Sequence, residues 1–148
     1  MTTSFAALLG DWAGPSRLFL EGKTYDCVST ASVRTIARDR FFSVSYSWQV
    51  EDELAEGLII FPASLGPTTA VATWLDSWHM SEVIMVCEAS LNPAGFVALK
   101  GSYAAPSGPD WGWRLELGEE DEAFVLRMFN ITPDGHEEIA VLTRYVHA

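Results

Sequence analysis

The chain has 148 residues, 9 Lys and Arg against 20 Asp and Glu for a formal charge of −11, with 49% hydrophobic and 20% charged residues. This composition excludes a disordered chain and describes one soluble, acidic domain over residues 1–148, large enough to bury a core without disulfides or metal. The charge repels phosphate backbones and anionic lipid heads, and the densest basic stretch, Arg34, Arg38 and Arg40, is too sparse to offset it, so neither nucleic acid nor a membrane surface is expected as a partner.

Residues 1–9 carry no positive n-region and no apolar run of signal-peptide length, and no stretch approaches the roughly 20 apolar residues of a membrane span. A cytoplasmic location is the expectation. Ser4 serves as the N-cap of a short helix in which Phe5, Leu8 and Leu9 share a face before Gly10 stops it. Everything that follows reads as strand.

The first run covers residues 15–21 and the second 25–38; the third holds the clearest pattern, Phe42, Val44, Tyr46, Trp48 and Val50 alternating with Ser43, Ser45, Ser47 and Gln49. A period of two with one apolar and one hydroxyl-rich face belongs to a strand buried on one side. Further runs at 56–63, 69–75, 82–90, 94–103, 111–117, 123–131 and 137–147 bring the total to about ten. Turn chemistry such as Gly22-Lys23, Glu51-Asp52-Glu53 and Pro133-Asp134-Gly135 separates them, and connections this short make neighbours antiparallel. A pitch of roughly 13 residues per strand and turn, with no intervening helical pattern, points to an all-β, up-and-down barrel closed at one end by the N-terminal helix. Cys27 and Cys87 lie outside any CxxC spacing and read as thiols in a reducing compartment.

Gly10-Asp11-Trp12-Ala13-Gly14, where the helix meets the first strand, together with Arg144 in the last, resembles the calycin signature of lipocalin-like and fatty-acid-binding-like barrels. The resemblance implies a clasp in which Arg144 packs over Trp12. Thr73-Trp74-Leu75-Asp76-Ser77 in mid-chain and Thr132-Pro133-Asp134-Gly135-His136-Glu137 leading to Leu142-Thr143-Arg144-Tyr145 sharpen it. They are similar to a bacterial domain-of-unknown-function family with a lipocalin-like barrel, and the likeness touches both ends and the middle of the chain. It departs at His136, where lysine is usual, and before Thr143-Arg144, where an aromatic is usual; both changes fall on a turn or strand surface. The resemblance implies a barrel with an internal cavity and no particular reaction.

The richest local chemistry is the segment from Trp74 to Glu82, which gathers indoles, carboxylates, hydroxyls and His79. On a strand Trp74 and Asp76 share a face, offering an aromatic wall and an anchoring carboxylate; equally, Asp76 and Ser77 can bond turn amides while the tryptophans fill core. His79, His136 and His147 show no metal-ligand spacing, and no cofactor is expected, although related ten-stranded barrels hold haem through a single histidine such as His79 could supply. Nucleophile-elbow and phosphate-loop motifs do not occur.

Three functions follow. The first is a binding module whose interior takes a small apolar or amphipathic molecule, an anion included, between Tyr46, Trp48, Trp74, Asp76, His79 and Met85, with Arg114 as its anchor. The second is an enzyme using Asp76 and His79 as a cavity acid and base. The third is an interaction domain, a filled barrel whose outer face makes a homodimer.

Overall fold

The computed structural model describes residues 5–148, so Ser4 lies outside the described residues. Ten strands follow a single 3-10 turn over Phe5–Leu8: β1 Gly10–Leu20, β2 Lys23–Ile36, β3 Phe41–Val50, β4 Glu53–Pro62, β5 Ala70–Asp76, β6 Met85–Leu91, β7 Val97–Tyr103, β8 Trp111–Glu120, β9 Ala123–Ile131 and β10 Glu137–His147. Each pairs antiparallel with its neighbours in the chain, and β10 returns to β1, so the sheet closes into a barrel. Closure leaves no unpaired strand edge, which suits a chain rich in β-branched and aromatic residues. Among the described residues no helix is long and apolar enough to cross a membrane.

β1 begins at Gly10, earlier than the run at 15–21 suggests, because the Gly-Asp-Trp-Ala-Gly segment itself pairs with β2 and β10. Gly14 is required there: a Cβ would collide with the backbone carbonyl of Arg144 across the seam. Alternation along the strands then sorts the side chains. Trp12 and Leu18 from β1, Val33 from β2, Val44 and Tyr46 from β3, and Leu115 and Leu117 from β8 all go inward.

One end of the barrel is plugged. Phe5 meets Phe42 and Phe61 edge-on at 5.2 and 5.0 Å, and Trp12 Nε1 donates to the Leu8 carbonyl at 2.7 Å. The 3-10 period of three brings Phe5 and Leu8 onto one side, so Leu9, expected on the buried face, is 41% exposed.

The expected Arg144 clasp does not form. Tyr145 points into the barrel, so its neighbour Arg144 points out, where it bonds the side chain and carbonyl of Glu120 at 3.3 and 3.1 Å. His147, of the same parity as Tyr145, takes its place: its ring stacks on Trp12 with centroids 3.9 Å apart, and the two residues are paired in register. Both cysteines are free; burial pushes the Cys87 thiol up to about 11.

Candidate functional site

The end opposite the plug is made by the turns after β1, β3, β5, β7 and β9. A recessed cavity of about 370 Å³ opens there, walled by Phe19 and Leu20 of β1, Trp74 of β5, Trp78, His79 and Met80 of the following turn, Tyr103 of β7, Trp111 and Trp113 of β8, Asn130 of β9 and residues 138–140 of β10. Below it the interior is filled by side chains.

Its floor is an aromatic stack. Trp74 and Trp113 lie nearly parallel, 9° apart with ring centroids at 5.2 Å, and the His79 ring sits 5.0 Å from Trp113 and 4.8 Å from Trp78. Tyr103 donates its hydroxyl proton to Asn130 Oδ1 at 2.5 Å, tying β7 to β9 along the wall. Trp113 is 6% exposed, and its indole N–H has no acceptor among the described residues.

A buried polar chain holds this stack in place. Trp74 Nε1 donates to the Tyr46 hydroxyl at 2.9 Å, and Tyr46 donates in turn to Asp76 Oδ2 at 2.6 Å. Gly57 makes the reach possible: it lies between Tyr46 and Asp76 in register, and a Cβ there would occupy the space of the Tyr46 ring. The other carboxylate oxygen, Oδ1, accepts the amides of Trp78 and His79 at 2.9 and 2.8 Å, which ends β5 and forms the turn. A charge only 2% exposed survives through such donors. Burial pushes the Asp76 carboxyl up, but the His79 ring, the Tyr46 hydroxyl and the His79 amide outweigh it, and the net displacement is below the ordinary aspartate value. Burial first, and the facing carboxylate second, push the Tyr46 phenol well above its ordinary value. His79 Nδ1 stands 3.2 Å from Asp76 Oδ1, an ion-pair distance without the alignment of a hydrogen bond.

Of the residues singled out in the sequence, Trp74 and His79 line the cavity. Tyr46, Trp48, Asp76 and Met85 do not: they are buried around it, Trp48 meeting Trp78 at 5.4 Å and Met85 pairing with Trp74. Both oxygens of Asp76 are committed to Tyr46 and to the turn, so it supports the wall and anchors nothing inside. Arg114 is on the outer surface, because Trp113 beside it points in; it pairs with Glu116 and Glu137 at 2.8 Å each and lies 4.1 Å over the Phe129 ring. Tyr103, Trp111, Trp113, Asn130 and Ile139 are among the lining residues not proposed from the sequence. The sequence does carry a signal for two of them, since Trp111 and Trp113 are two apart in one strand and share a face. Among the described residues no group of three or more His, Cys, Asp or Glu is placed to hold a metal ion.

The family described as "Protein of unknown function (DUF1579)" matches residues 2–147, nearly the whole chain. No curated protein matches the chain by sequence.

Proposed function

The chain belongs to this family, and on that premise we propose that it is a binding protein, a lipocalin-like barrel whose open end takes up a flat, apolar or amphipathic small molecule. One observation carries the reading: a cavity of about 370 Å³ whose floor is the parallel Trp74–Trp113 stack and whose walls add Trp78 and Trp111. Pockets for small organic molecules are built in this way, from apolar and aromatic walls with a few polar groups set among them. The plugged end and the filled lower half support uptake from the open end alone. Two free thiols support a reducing, cytoplasmic setting.

Native mass spectrometry of the freshly purified protein tests this directly. A retained small molecule, lost in Trp111→Ala, is the expected result; a chain that retains nothing and binds no flat probe in titration overturns it.

A second reading, an enzyme using His79 as acid or base, is favoured by the place of that ring in the cavity wall, 3.2 Å from Asp76 Oδ1. It requires that a bound molecule be chemically changed. Recovery of the molecule unaltered after prolonged incubation leaves binding alone.

A further inference from the structure

We infer that the molecule taken up at the open end is an organic cation, a flat amine or quaternary ammonium, and this rests on the uptake reading above. Two exposed carboxylates, Glu21 and Glu138, line the cavity, the second 3.6 Å from His136 Nε2, and among its described lining residues there is no Lys or Arg. Leu20 and Trp78 separate it from a second, more open depression at the same end, and the acidic side chains there are Glu51, Asp52 and Glu53, again with no Lys or Arg among the lining residues. Five of the seven arginines are engaged on the outer surface instead, Arg17 with Asp26, Arg34 with Asp11, Arg114 with Glu116 and Glu137, and Arg127 and Arg144 with Glu120, while Arg38 and Arg40 lie in the turn after β2 at the plugged end.

The walls add to this bias. An indole presents a negative π face, and tryptophan is the strongest of the aromatic side chains in attracting a cation over its ring. Trp78 and Trp111, both partly exposed, offer this surface in the lining, while Trp74 and Trp113 are buried behind them and stacked on each other. A carboxylate ligand would leave its water shell for a site with no guanidinium or ammonium to meet it and with two like charges at the rim, a costly exchange. A cation meets π faces and carboxylates together.

Calorimetric titration of the intact protein with three probes of one shape tests the inference: naphthylmethylammonium, naphthylmethanol and naphthylacetate. Measurement at high salt screens diffuse attraction to the net charge of −11. The ammonium probe is expected to bind at least about tenfold more tightly than the alcohol, and the acetate most weakly. In Glu21→Gln with Glu138→Gln, two exposed positions, the ammonium affinity falls several-fold while the alcohol's is unchanged. Equal or tighter binding of the alcohol or the acetate overturns the cation inference and leaves the uptake reading standing. Binding of none of the three overturns both.

Discussion

Tyr46 and Asp76 stand on strands that are not neighbours, and a 2.6 Å hydrogen bond joins them over Gly57 of the strand between. The missing side chain at Gly57 thus sets the position of the Trp74 indole, which donates to the same hydroxyl. Tyr46→Phe removes a donor to a buried carboxylate and the acceptor of a buried indole, and is expected to cost about 1.5–3 kcal/mol. Gly57→Ala forces the ring aside, with a similar expected cost of about 1–3 kcal/mol. Urea unfolding of the two variants checks both; a loss of less than about 0.5 kcal/mol in Tyr46→Phe would show that the chain of bonds adds little.

Acid stability depends on the same carboxylate. The folded-state pKa of Asp76 is displaced downward, so its contribution is complete above the unfolded value of roughly 4 and is lost as pH falls through the lower folded value. The slope of unfolding free energy against pH below about 4 should therefore be shallower in Asp76→Asn than in the wild type, beyond any constant offset. Denaturant midpoints across that range measure it.

At the plugged end the stacking partner of Trp12 is His147. A double-mutant cycle on these two residues is expected to return a coupling of about 0.5–1.5 kcal/mol. Arg144→Ala, by contrast, removes a half-exposed pair with Glu120 and is expected to change stability by less than about 1 kcal/mol. Strong coupling of Trp12 to Arg144 in the same type of cycle would contradict the observed stacking.

Trp111 stands at the rim and carries no part of the buried polar chain. Trp111→Ala should weaken binding of naphthylmethanol by about tenfold, as loss of an aromatic contact does, with little change in the unfolding midpoint. Tryptophan emission and calorimetry on the same samples separate lost binding from lost fold.

The barrel is legible in the sequence because most strands follow a period of two, β9 with its buried run Ala123 to Leu126 being an exception, and the turns between strands are short. The alternation of Phe42 to Val50 and the spacing of the turn residues carry almost all of it. The site is legible only in part. Trp74 and His79 are visible as chemistry concentrated in one segment, but whether Asp76 faces a cavity or a turn depends on Gly57, one strand away, which no local pattern connects to it. Arg114 as a ligand anchor and Arg144 as the clasp that the resemblance implies both require inward side chains, whereas the inward neighbours Trp113 and Tyr145 fix them outside.

Pairing of β1 with β10 differs in kind from every other pairing in the molecule. Each remaining pair is a hairpin whose strands meet after a short loop, so it forms with little entropy lost to closing the chain. The seam joins residues as distant as Trp12 and His147, and the buried 2.6 Å bond between the Ser16 and Thr143 hydroxyls belongs to it. Non-local contacts of this kind govern folding speed more than stability. Loop-closure entropy favours formation of the hairpins before the seam, so β1–β10 amides are expected to gain protection last in pulse-labelled refolding and to exchange first from the native state.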